Sequence, residues 1–327
     1  MVFLFRDKSV FNLFTLVLLS LVVHFHFFVS PPQIVWDNSN GLFSRIIGSY
    51  IRFWPETLLF IIYHFLILSQ AIRLNWVLDN MKMFPYSNYV PAMTMILLSG
   101  LFTAGCAISP ALLSGHLLIW VFVRLTRLFN HPAPKALLFN TGMVLGVAIM
   151  CYHPFFIVVF LVLFALAIVR SFKINEWMVL ILGVLIPYYF AGSIAYLTDN
   201  FLYFFQWLPA IHPGLPITQL NLYTISSLSL LVIAIFLGIA YWQKFNGRLL
   251  MQLRKYWSVL LLMLVLTIIL PFLMSKEGIF AGWLLIIPVS VFFSCFFSVP
   301  RRLVLPNLIF WLITASLVLH NLYFMKK

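Results

Sequence analysis

The sequence predicts an all-α, polytopic membrane protein of about eleven transmembrane helices, and three observations predict it. Of 327 residues, 64% are hydrophobic and only 8% are charged, whereas the surface of a soluble domain takes about a quarter of its residues as charges. One soluble core in a chain of this length has no room for so much apolar surface. The apolar residues also recur in runs of about 20, the length that crosses about 30 Å of hydrocarbon.

Taken in order between charged or Pro/Asn-rich breaks, the runs fall near 10–29, 56–73, 89–107, 111–127, 137–151, 154–170, 177–197, 223–243, 256–274, 279–298 and 304–324. The first follows Arg6 and Lys8, as the core of a signal peptide would. It is too long for one and ends in SPPQ rather than a small-residue cleavage site, so it reads as a retained span. The fifth and sixth runs are short, and a re-entrant pair or a broken helix is the alternative there. No internal repeat or soluble domain interrupts the series, so residues 1–327 read as one integral-membrane domain.

The net charge of +13 acquires its meaning from placement. With eleven spans, the N-terminus and even-numbered loops hold 15 of the 20 Lys and Arg, and the odd-numbered loops and C-terminus hold 5. Basic residues stay on the cytoplasmic side, so the N-terminus is expected inside and the C-terminus in the periplasm. The charge is therefore topological. No loop is large enough to form the concentrated basic face that nucleic-acid binding requires, and membrane lipids are the expected surroundings.

Two outside loops stand apart. In QIVWDNSNGLFSRIIGSYIRFWPE (33–56), Pro31 and Pro32 end the first run and Asp37 to Asn40 offer helix-capping side chains. Apolar residues at 42, 43, 46, 47, 50, 51 and 54 then make one helical stripe. Arg45, Ser49 and Arg52 lie opposite it, so residues 41–54 predict a helix lying in the membrane interface. The seventh loop, about 198–222, has no Lys or Arg and is dense in aromatics. Pro209, Pro213 and Pro216 forbid a continuous helix. It is expected to fold back over the outer surface, either as an aromatic belt or as a lid over a lipid-facing cleft. The inside loops FKINEW (172–177) and RLLMQLRKYW (248–257) read as interface segments facing anionic headgroups.

The chemistry is sparse. HExxH, GxSxG, Walker and DxD motifs are all missing. Cys106, Cys151 and Cys295 are isolated in or at the ends of apolar runs, with no redox or zinc spacing. Asp7, Asp79 and Glu176 fall on the inner side near basic residues and read as loop charges. The span centres carry only His24, His26, His64, His116 and Gln70, which argues against a proton-driven transporter. His24 and His26, two apart on a continuous helix, would point to different faces and form no joint metal site. Gly142 and Gly146 make a GxxxG suited to close helix packing. His153, in YHPFF at an outside break, reads as a turn residue or a site residue.

Four acids, Asp37, Glu56, Asp199 and Glu277, lie in outside loops, which singles out a membrane-embedded site opening outward. Asp37 has the chemistry of a general base that deprotonates an acceptor hydroxyl. Arg45 and Arg52 have the forked geometry that grips a phosphate leaving group. Glu56, His153, Asp199 and Glu277 complete the polar set available to a substrate. Ordinary structural roles exist for these residues too, with Asp37 as a helix cap and the arginines reaching to headgroups. No cofactor or metal is specified.

ISPALL (108–113), KALLFNTGMVLGVAIMCYHPFF (135–156), RSFKINEWMVLILGVLIPYY (170–189) and EGIFAGWLLIIP (277–288) resemble a family of uncharacterised multi-pass inner-membrane proteins of Bacteroidota. That resemblance implies a location and no mechanism. The architecture also resembles the GT-C class of glycosyltransferases that use polyprenyl-phosphate sugars. In that class an early acid in the first outside loop is catalytic base or metal ligand, which implies that role for Asp37. The chain departs from the class where Asn38, not a second acid, follows Asp37, and no soluble C-terminal domain lies within its 327 residues. The first expectation is therefore a periplasmic-face transferase using a polyprenyl-phosphate sugar. The second is a non-catalytic scaffold or subunit of an envelope assembly or export complex, with fixed protein partners. A third, a lipid or lipid-linked-glycan flippase, needs a polar cavity that few residues can line.

Overall fold

The computed structural model describes residues 1–35, 41–42, 50, 54–102, 106–129, 131–216, 221–247, 249–275, 280–300 and 302–325. The fold is all-helical, 78% helix, with no strand among the described residues. In chain order the helices are α1 (Val2–Arg6), α2 (Val10–Val23), α3 (Glu56–Asn80), α4 (Val90–Ser99), α5 (Pro110–Arg127), α6 (Pro134–Cys151), α7 (Ile157–Val169), α8 (Ile174–Leu197), α9 (Phe201–Phe204), α10 (Leu222–Asn246), α11 (Met251–Leu273), α12 (Trp283–Ser298) and α13 (Val304–Met325). Six of them, α3, α6, α8, α10, α11 and α13, are long and apolar enough to cross a membrane.

Two of the expected spans take a different form. The run at 89–107 folds into α4, ten residues long and buried at every one of them. At 1.5 Å per residue that is about 15 Å, half a bilayer. The first run is also broken: α2 stops at Val23, His24 leaves helical geometry (φ −108°, ψ 35°), and Phe25–Phe28 continue as a 3-10 turn. Hydropathy reports where a segment is dry and is blind to where its backbone turns, so both breaks lay hidden inside apolar runs.

Helices α4 and α12 form the centre. Every residue of α12 from Trp283 to Phe297 is buried, the mark of a helix wrapped by others on all sides. Around this pair stand α2 and α3 on one side and α5, α10 and α11 on the other. Gly238 of α10 makes that contact close: a Cβ there would sit 2.6 Å from the Phe292 carbonyl carbon. Farther out, α6 packs along α8, and the expected GxxxG finds its partner there. Cβ atoms on Gly142 and Gly146 would lie 2.6 and 2.5 Å from the carbonyl oxygens of Leu180 and Val184.

Contacts between connections fall into two sets. Arg6 donates to the Phe297 and Pro300 carbonyls, Lys8 pairs with Asp79 at 2.5 Å, Arg170 donates to Leu128 and His131, and Lys255 donates to Val169. Glu176 faces Arg170 at 3.4 Å. Asp79 and Glu176, read as inner loop charges, are thus partnered with cations of loops expected on the same side. The other set joins Gln33–Val35 to Ile108 and His212–Gly214 to Phe272–Ser275. In both sets, connections expected on one side touch others expected on that side.

Candidate functional site

Four of the seven predicted site residues, Asp37, Arg45, Arg52 and Glu277, lie outside the described residues, as does most of the expected interfacial helix at 41–54. The other three are placed. Glu56 is the exposed first residue of α3, where a carboxylate favours the helix dipole. His153 is buried in the 3-10 turn His153–Phe156 between α6 and α7. Asp199 takes φ +55° just past α8, its N–H bonded to Tyr196 O and the Asn200 N–H to Ala195 O. That pair of bonds is a Schellman cap, so the Asp199 backbone terminates α8 while the residue stays exposed.

The described segments on either side of Asp37 are anchored. Two residues before it, Val35 donates to Ile108 O at 3.1 Å and Gln33 O accepts from Ile108 N at 2.9 Å. Ile108 directly precedes Ser109, whose hydroxyl caps α5 by accepting from Leu112 N. Four residues after Asp37, Gly41 (φ +105°) lies flat on the end of α6, where a Cβ would come within 2.7 Å of the Met150 and Cys151 carbonyls. Ile108 and the end of α6 therefore lie against the described residues on either side of 36–40.

A cleft of about 650 Å³ opens elsewhere on the molecule. Helices α10 and α11 form its sides, and α12 with the last turn of α4 forms its back. It follows α10 from Leu228 to Gln243, roughly 22 Å at 1.5 Å per residue. Nearly all of its lining is hydrocarbon. Its mouth is flanked by Val232 and Phe236, 62% and 72% exposed, so it faces outward between helices. Pro271, inside α11, lines it as well; a proline removes one helix bond and bends the backbone away.

The seventh loop covers one end. Its first part, α9 and the 3-10 turn Phe205–Trp207, folds back on α8, with Phe204 over Gly192. Its second part pairs with the end of α11: His212 N to Leu273 O at 3.0 Å, Gly214 N to Phe272 O at 2.9 Å and Ser275 N to His212 O at 3.0 Å. Pro216 then reaches the cleft wall.

The break after α2 gathers a buried polar cluster that sequence reasoning missed. His24 Nδ1 donates to Ser20 O, and the Ser20 hydroxyl meets His64 Nδ1 at 2.9 Å. His26 Nδ1 donates to Asn321 Oδ1 at 2.9 Å, since the Asn321 amide N–H is committed to Val23 O. The His24 ring lies 6.4 Å from His26 and 5.7 Å from His64, with Phe27 packed against all three. His24 and His26 thus share one neighbourhood, contrary to the separation a continuous helix imposes. His116 pairs with Ser69 and Gln70, and His320 with Ser226. Among the described residues no group of three His, Cys, Asp or Glu side chains is placed to hold a metal ion. The partners are 44 and 295 residues apart, and the one local hint was the paired histidines ahead of Pro31.

No curated protein and no solved structure matches the chain. A family described as a family of unknown function (DUF6427) matches residues 78–327, a stretch that contains the whole cleft and starts after the first loop, and the chain belongs to that family.

Proposed function

We propose that the protein is a GT-C-like glycosyltransferase of a bacterial inner membrane. In this reading it crosses eleven times, with its N-terminus in the cytoplasm and its C-terminus in the periplasm. It moves a sugar from a polyprenyl-phosphate donor to an acceptor hydroxyl on the periplasmic face. The Asp37 carboxylate takes the acceptor proton, the bond from the anomeric carbon to the phosphate oxygen breaks, and the acceptor oxygen bonds that carbon. Polyprenyl phosphate leaves with the electron pair, its charge met by Arg45 and Arg52. The observation that carries the reading is the anchoring of both flanks of Asp37, at Ile108 and at Met150–Cys151. A general base must be held in place relative to its substrate, whereas a simple helix cap needs no such fixing on distant elements.

The test is complementation of a deletion strain with Asp37→Asn, reading envelope glycans by mass spectrometry and protein abundance by immunoblot. Loss of a general base costs about 10²- to 10⁴-fold in rate, so one glycan is expected to disappear at unchanged abundance. A wild-type glycan profile with Asn at 37 rejects the enzyme. Stable co-purification with the same envelope proteins would then favour the non-catalytic subunit.

A further inference from the structure

We infer that the groove between α3 and α5 holds the headgroup of a net-anionic phospholipid, its phosphate bound by Arg73 and Arg124. The site stands apart from the Asp37 reading. It begins with a displacement of Arg73. The second apolar run ends at residue 73, which places this arginine at the edge of a loop. Helix α3 instead continues to Asn80, so Arg73 lies about 10 Å inside the helix end. It is exposed, one turn deeper than Trp76, itself 59% exposed. Tryptophan gathers at the headgroup level of a bilayer. A cation below that level marks a functional site, and its partner has to be found.

The groove supplies no partner from within. Helix α3 packs along α5, and their polar side chains satisfy one another. Gln70 donates to the Leu112 carbonyl and, at 3.0 Å, to His116 Nδ1. That leaves His116 Nε2–H to donate to the Ser69 hydroxyl at 2.9 Å, and Ser69 donates to the Leu66 carbonyl. The floor is thus neutral and closed. Arg73 lies within electrostatic reach of the His116 ring but has no hydrogen-bond or ion-pair partner among the described residues. The nearest acid along α3, Asp79, is taken by Lys8 and Ser87, and Glu56 stands at the opposite end of the helix.

A second cation borders the same stretch. Arg73 follows Ser69, and Trp120 follows His116, by one helical turn. The bonded pair Ser69–His116 therefore brings Arg73 and Trp120 to neighbouring positions on one face. The Arg124 guanidinium lies over the Trp120 ring, 4.7 Å from its centre, and it too lacks an acid among the described residues. Two guanidinium forks without a carboxylate match the oxygens of a phosphate. The setting decides the source. At the headgroup level, a groove on a membrane helix meets phospholipid phosphate at far higher concentration than any dissolved anion. A zwitterionic lipid brings its own ammonium to the phosphate, so two unpaired guanidiniums select a lipid of net negative charge.

The experiment reconstitutes the full chain in vesicles of phosphatidylethanolamine and phosphatidylglycerol in equal amounts, and reads co-purifying lipid by native mass spectrometry. Phosphatidylglycerol is expected to be retained ahead of phosphatidylethanolamine. Arg73→Gln and Arg124→Gln are each expected to lower that retention about ten-fold. Lys244→Gln, which removes a cation held over Tyr241 on α10, is expected to leave it unchanged. Equal loss in the Lys244 variant overturns the site, since diffuse attraction between basic residues and anionic lipid would then account for the binding. A wild-type measurement covers variants that fail to fold. Phosphatidylglycerol with a photoreactive headgroup is expected to label residues 69–76 and 116–124 in clear excess over residues 241–244. Even labelling of these segments, or equal retention of phosphatidylethanolamine, overturns the proposal. So does displacement by soluble glycerol phosphate at equal concentration, which would make the groove a site for a dissolved phosphate ester instead.

Discussion

Asp199 shows how a residue type misleads when its backbone is out of view. A lone carboxylate in an outside loop invites a substrate role, yet the same residue at φ +55° ends α8 through its backbone bonds. Asp and Asn are among the few side chains that tolerate this region, and glycine tolerates it best. Asp199→Gly is therefore expected to hold or raise the stability of the detergent-solubilised protein, by up to about 1 kcal/mol. Thermal unfolding followed by tryptophan fluorescence checks this. A fall in the proposed transfer activity with that gain in stability would give the carboxylate a second role. Gly41 teaches the same lesson from the other side. The sequence marks it only as the start of an amphipathic stripe, and the carbonyls of Met150 and Cys151 that exclude a side chain there come from 109 positions onward. Composition and spacing carry no trace of such a contact.

Among the helices, legibility followed length. The six long helices lie close to their expected runs, and one of them, α6, comes from the run at 137–151, which was expected to be short with a re-entrant or broken helix as the alternative. Among the shorter helices, α7 and α12 lie within their expected runs, whereas the breaks inside the first and third runs were not legible. Helix α4 hides its end at Ser99–Gly100 within an apolar run. The α6–α8 pair is the opposite case: Gly142 and Gly146 announced close packing, and only the partner was unknown. Because Gly142 faces the Leu180 carbonyl at a distance no real Cβ adopts, Gly142→Val must push two backbones apart. Overpacking of this kind costs about 1–3 kcal/mol. The expected outcome is earlier unfolding in a denaturing-detergent titration, with Met143→Val, on an exposed face of the same helix, close to wild type.

On the scale of the whole molecule, the number of crossings turns on the shorter apolar helices, α4 and α12 among them. The N-terminal segment is tied to Asp79 through Lys8 and to the Tyr89 amide through the Phe5 carbonyl, so the start of α4 sits beside the inner-loop contacts. Ile108, 19 residues farther, sits beside Gln33 and Val35 in the other set. In the proposed topology the two sets lie on opposite sides, and a chain that leaves one and reaches the other would then cross the bundle. The same holds for α12, which runs from the region following Ser275 to Phe297 and Pro300, where Arg6 binds. The eleven crossings of the proposed topology are an odd number and put the termini on opposite sides. The placement of 15 of the 20 basic residues in the N-terminus and even-numbered loops then favours the cytoplasm for that side. Alkaline phosphatase fused after Lys327 is accordingly expected to be active, and a fluorescent protein at the same place dark, while fusions after Asn80 show the reverse. An inactive phosphatase at Lys327 would mean an even number of crossings. Fusions after Ile108 and after Pro300 would then test α4 and α12 separately, because each lies just beyond one of them.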